Sequence, residues 1–72
     1  MTGILIKLDG RPDIVFENGT IYGGLHCGEC FSMFAPDTGW VSVRLEFADD
    51  WVLVDGAGGK GEPVPYGNQV IL

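Results

Sequence analysis

A chain of 72 residues has room for a single hydrophobic core and excludes a two-domain arrangement, because at this size burial only just exceeds the conformational entropy lost on folding. With 46% hydrophobic residues it is too apolar for a disordered segment. Ten acids against four bases give a formal charge of −6, and the bases Lys7, Arg11, Arg44 and Lys60 are scattered, which excludes the clustered basic face that direct nucleic-acid binding draws on.

Ile4 to Leu8 is a β-rich run ending at Asp9-Gly10, and Arg11 to Glu17 is a second ending at Asn18-Gly19. Both dipeptides tolerate positive φ at the two central positions of a hairpin turn, so the first third reads as a three-stranded meander over 3–8, 11–17 and 20–25. Pro12 places the second strand near an edge or at its own start. After the Tyr22-Gly23-Gly24 bend, Glu29 to Ala35 is a further strand. Pro36-Asp37-Thr38-Gly39 follows with the residues of a type I turn.

Trp40 to Phe47 alternates with the period of a half-buried strand: Val41, Val43, Leu45 and Phe47 share the core face, and Trp40, Ser42, Arg44 and Glu46 the other. Trp51 to Val54 is a short strand ending at Asp55, 56–61 is a loop, and Gln69 to Leu72 is the last strand, approached through Pro63 and Pro65. The Gly-Lys-Gly-Glu of the loop is not a phosphate-binding signature, since no Ser or Thr follows the lysine and no helix pattern follows the loop. No window shows helical periodicity. Six to seven short strands in so short a chain predict an all-β domain, either a small SH3-like barrel, the better match in size, or a strongly bent antiparallel sheet.

The opening Met-Thr-Gly-Ile-Leu-Ile-Lys has neither the basic start nor the cleavage pattern of a secretion signal. No apolar run reaches the roughly 20 residues of a membrane helix. A cytoplasmic location is expected, where thiols are kept reduced.

Leu25-His26-Cys27-Gly28-Glu29-Cys30 gathers both cysteines and the single histidine. The Cys-x-x-Cys spacing is half a zinc site, but structural zinc takes four ligands and no second pair exists, so His26, Cys27 and Cys30 could serve a metal only with a carboxylate or across a dimer. A thioredoxin-type pair would open a helix, and here a strand follows. A cysteine nucleophile finds no base beyond its own neighbour. The expectation is therefore structural, with the cysteines as small buried hydrophobes and Gly28 forming a bulge or tight turn. Asp49, Asp50 and Asp55 read as turn residues with no opposing carboxylate, so neither an enzyme nor a cofactor is implied.

The run Tyr22 to Glu29 with Phe31, then Gly39-Trp40, Val43-Arg44-Leu45-Glu46 and Trp51-Val52-Leu53, resembles a short bacterial family. That family is a domain of unknown function found chiefly in Firmicutes and their phages, plasmids and other mobile elements. The resemblance covers about half the chain. Val52, where the family often has an aromatic residue, and the Gly-Pro stretch 56–67 depart from it. It implies a small β fold and a mobile-element setting, without a mechanism.

These readings converge on a non-enzymatic acidic module that binds an unidentified protein partner, as a monomer or small homo-oligomer, with no membrane or direct nucleic-acid contact. Trp40, turned outward beside Arg44, is the expected docking residue. Two alternatives stand beside this. One is an acidic inhibitor of anti-CRISPR or anti-restriction type, using Asp49, Asp50 and Asp55 against the basic groove of a host defence enzyme. The other is a zinc-bridged structural dimer.

Overall fold

The computed structural model describes residues 1–56 and 59–72; Ala57 and Gly58, within the loop expected over 56–61, lie outside the described residues. Seven strands follow one another: β1 (Thr2–Leu8), β2 (Arg11–Phe16), β3 (Cys30–Ala35), β4 (Gly39–Ala48), β5 (Asp50–Asp55), β6 (Glu62–Pro63) and β7 (Gln69–Ile71). They form one antiparallel sheet in the order β2-β1-β7-β3-β4-β5-β6, with no helix among the described residues.

The all-β expectation holds, and of its two forms the structure is the open, bent sheet: β2 and β6 are its edges and it does not close into a barrel. The bend is visible in one contact. Arg11 on β2 places its guanidinium 5.5 Å from the ring centroid of Trp51 on β5. Those strands are five steps apart, about 24 Å in a flat sheet. The sheet therefore curls until its first and sixth strands meet through side chains, and Arg11 also donates to Leu25 O at 2.7 Å across that seam.

The β1–β2 hairpin turns as expected at Asp9 (φ 52°) and Gly10 (φ 80°). Asn18-Gly19 turns differently. Gly19 N donates to Phe16 O, positive φ is confined to Gly19, and Asn18 Oδ1 accepts from Thr20 N, so the reversal is a three-residue loop with a bulge.

The strand expected over 20–25 is not formed. A single bridge, Val15 to Ile21, and hydrogen bonds from Phe16 N to Thr20 O, from Tyr22 N to Ile14 O and from Leu25 N to Pro12 O tie that stretch to β2. Gly23 (φ 111°) and Gly24 (φ 99°) take it out of the extended region. The buried Asp13 holds the resulting bend, its Oδ1 accepting from Ile14 N and Gly23 N. β6, which was read only as an extended approach, pairs Pro63 with Val52 and Glu62 with Leu53.

One face of the curled sheet carries the core: Leu5, Ile14, Phe31, Val43, Leu45, Leu53 and Val70 from the strands, with Leu25 and Val64 from the connections. Val43 and Leu45 confirm the alternation of β4. Phe47 does not, being 55% exposed: it lies past the core residues of β4, its ring edge-on to Trp51, centroid to centroid at 5.0 Å. Gly3, opposite Phe16, is required by space: a Cβ there would stand 2.6 Å from Ile14 Cγ2 and 2.7 Å from Val15 O. β7 lies in the middle of the sheet, pairing Ile71 with Thr2 of β1 on one side and with Ser32 of β3 on the other.

Candidate interaction surfaces

The outer face, opposite the core, follows from the same register. Thr2, Ile71, Ser32 and Ser42 stand side by side across β1, β7, β3 and β4. One pleat further along, Val15, Ile4 and Gln69 are paired neighbours, and Phe34 is paired with Trp40. Asn68 Nδ2 donates to Phe34 O at 3.3 Å, joining the two halves of that row. Neither row holds an acidic or basic side chain of the fourteen in the chain (10 Asp and Glu plus 4 Lys and Arg).

At the β3–β4 end of this band Phe34 and Trp40 form an edge-to-face pair with centroids 5.4 Å apart. Trp40 is 46% exposed, so it stands outward as alternation requires. At the β1–β2 end, Thr2, Ile4, Val15, Glu17 and Gln69 are among the residues lining a cleft of about 230 Å³. The sequence signal for the apolar half of the band was the unbroken run Ile4-Leu5-Ile6, which makes both faces of β1 apolar. The turn expected at 36–39 lies one residue earlier, Thr38 N donating to Ala35 O with Gly39 at φ 85°, and this shift pairs Phe34 with Trp40.

Arg44 shares the outer face with Trp40 two pleats away, and its Nε is 2.6 Å from Glu46 Oε2. The three aspartates do not meet. Asp49 makes the β4–β5 reversal at φ 65°, Asp50 opens β5 with its Oδ1 accepting from Trp51 N, and Asp55 closes β5 with its Oδ1 accepting from Gly59 N. The length of β5, about 17 Å, separates Asp50 from Asp55.

The cysteine segment is a tight turn, Glu29 N donating to His26 O with Gly28 at φ 89°, as the glycine predicted. Its backbone is stitched to β4 by Gly28 N to Leu45 O and Leu45 N to Glu29 O. The expectation of buried cysteines is overturned. Both Cys27 and Cys30 are exposed: Cys27 sits in the turn itself, and Cys30 opens β3 on the outer face, alternating with the buried Phe31.

The thiol of Cys27 donates to Glu46 Oε1 at 3.1 Å, and that contact, with Arg44 on the other oxygen, holds the Glu46 carboxyl below its ordinary value of 4.5. Tyr22 donates its hydroxyl to Glu29, whose other oxygen accepts from His26 N. The hydrogen bond to Glu29 raises the tyrosine hydroxyl above 10.0. Among the described residues, no three His, Cys, Asp or Glu side chains are arranged to hold a metal ion.

A second cluster escaped the sequence reading. At the end where β1 meets β2 and β4 meets β5, Arg11 covers Trp51 and Lys7 stands 6.0 Å from the Tyr66 ring centroid. Burial, and then the nearby Asp50, raise the Tyr66 hydroxyl. On the core side, Met33, Val41, Val43, Leu53, Pro63 and Pro65 wall a cleft of about 370 Å³ with Asp55, Lys60 and Glu62 around it. Among the described residues no helix is long and apolar enough to cross a membrane.

A crystal structure of a protein from Ruminococcus gnavus, determined by a structural-genomics consortium, is similar to this chain at 42% identity over 100% of both chains, with a TM-score of 0.78. A search of curated proteins finds no match. The sequence profile of one family, DUF5348, matches residues 4–68. With nearly its whole length inside that profile, and with the Leu-His-Cys-Gly-Glu turn and its strands in place, the chain belongs to DUF5348, a domain of unknown function.

Proposed function

We propose that this chain is a non-catalytic protein-binding module that docks through its outer sheet face, with Trp40 at the centre of the contact. The observation that carries this reading is the uncharged band ending in a 46% exposed tryptophan. An antiparallel sheet with one face on the core normally turns a polar face to water. Here the outward residues of the two rows across β1, β7, β3 and the Trp40–Ser42 end of β4 are apolar or neutral, the charged Arg44 and Glu46 lying further along β4. Tryptophan is enriched among the residues that dominate binding energy, and Phe34 fixes this ring so that little side-chain entropy is lost on docking.

Arg11 and Arg44, two of the four bases, are engaged with Leu25, Trp51 and Glu46, which leaves little for phosphate contacts. The acidic-inhibitor reading asks for a continuous carboxylate face. Asp55 stands at the far end of β5 from Asp49 and Asp50, so that reading rests on net charge alone.

Trp40→Ala tests the proposal. The variant should lose the protein that the tagged wild type captures from a bacterial lysate, while its Tm stays within a few degrees, since the edge-to-face pair contributes only about 1 kcal/mol. Arg44→Ala should retain the partner. Equal capture by wild type and Trp40→Ala would sink the reading.

A further inference from the structure

We infer that the core-side cleft is a binding site for a free apolar α-amino acid, with Lys60 on its carboxylate and Glu62 on its ammonium. The site lies on the face opposite the Trp40 band, so it stands or falls apart from the docking reading. Met33 is paired with Val41, Val43 with Asp55 and Leu53 with Glu62, and paired residues point to one side of a sheet. Val43 and Leu53 are core residues and Val41 packs against them, so all three pairs lie on the inner face. Val41 stands about 20 Å along β4 from Phe47, the partner of Trp51. The cleft of about 370 Å³ is therefore at the end of the curl away from the Arg11–Trp51 contact.

Two carboxylates in the apolar wall of a cleft call for partners. Asp55 has its own: its Oδ1 accepts from Gly59 N at 3.0 Å, and a Cβ on Gly59 would stand 2.6 Å from its Oδ2, so this side chain anchors the loop. Glu62 and Lys60 line the same cleft, and among the described residues neither is in an ion pair. An inward charge on an edge strand also deters sheet pairing, but that role calls for no cation at the same mouth.

A free α-amino acid supplies both partners from one carbon atom. Lys60 and Glu62 are rooted at most about 7 Å apart, and their long side chains can bracket such a zwitterion. Its side chain then enters between Met33, Val41, Leu53 and Pro63, whose side chains offer it no hydrogen bond, so it must be apolar. A cleft of about 370 Å³ is within the range of small-molecule sites and holds a whole amino acid.

The experiment is an NMR titration of the whole chain with L-leucine to about 10 mM, following the Met33 and Val41 methyl groups. Their shifts should saturate with a Kd near or below about 1 mM. L-asparagine, with a polar side chain of similar size, should bind at least about tenfold more weakly. N-acetyl-L-leucine and L-leucinamide each lack one of the two charges and should be weakened as much, which separates a free amino acid from a peptide end. Lys60→Gln and Glu62→Gln, both at exposed positions, should keep the wild-type Tm and each weaken L-leucine by about tenfold or more. No saturable shift at Met33 or Val41 overturns the site, as does L-asparagine binding as tightly as L-leucine, or either substitution leaving the affinity unchanged. A derivative that binds as tightly as L-leucine overturns the free amino acid in favour of a peptide end.

Discussion

Glu46 is the residue on which the cysteine turn and β4 meet, and its titration reports that junction. Its folded value lies below the ordinary 4.5, with the Cys27 thiol as the first cause and Arg44 as the second. A depressed carboxyl stabilises the fold fully above its unfolded value, and the contribution disappears as pH falls through the folded one. Cys27→Ala should therefore move the Glu46 side-chain carbon titration upward, as read by NMR, and Arg44→Ala should move it less. Both shifts should be accompanied by only small changes in Tm, because the carboxyl is exposed. No change in Cys27→Ala would remove the thiol from the network.

Gly3 offers a harsher test. Its missing Cβ leaves room for Ile14 and the Val15 carbonyl, so Gly3→Ala should cost about 1–3 kcal/mol, roughly 10 °C in Tm by thermal melting. A variant as stable as wild type would mean that β1 and β2 can move apart at no cost.

At the level of elements, the stretch 20–29 is where composition misleads. Ile21-Tyr22 and Leu25 carry strand residues, but two consecutive glycines at positive φ and a buried aspartate turn them into a strap laid along β2 and then stitched to β4. Asp13→Ala leaves Ile14 N and Gly23 N without their acceptor, a loss of about 2 kcal/mol. Hydrogen exchange should show the amides of Tyr22 and Leu25 losing protection before those of β4, whereas Asp13→Asn, which keeps an oxygen acceptor, should stay close to wild type. Uniform loss across the sheet in Asp13→Ala would show that the strap has no separate stability.

β4 and its two hairpins were legible because alternation and turn residues agree there locally. The burial of Cys27 and Cys30 was misjudged because burial is set by which neighbour the turn lands on, and β4 is nineteen positions away at Glu46. The place of β7 had no local signal at all. Its partners, Thr2 and Ser32, are distant in sequence, and three residues carry no periodicity to read.

For the molecule as a whole, the curl of the sheet is closed by one arginine. Arg11 uses its fork to reach Leu25 O while its plane lies over Trp51, and lysine has the charge without the geometry to do both. Arg11→Lys should lower Tm by several degrees and shift the emission of Trp51 to the red, measured in a Trp40→Phe background so that a single indole emits. An unchanged spectrum and Tm would show that the seam is held by the core alone.

The position of β7 also sets a timetable. In the sheet, the β1–β2 hairpin and the β3–β4–β5 meander touch only through Gln69–Ile71, which follow every other strand in the chain. While a ribosome is still adding those residues, the two halves can each form from local contacts. The strap of residues 20–29 and the Arg11–Trp51 contact can bring them together, but without β7 the inner edges of β1 and β3 stay unpaired. A chain that has not yet placed β7 presents both edges to its neighbours, which makes the docking of β7, rather than hairpin formation, the step that completes this sheet.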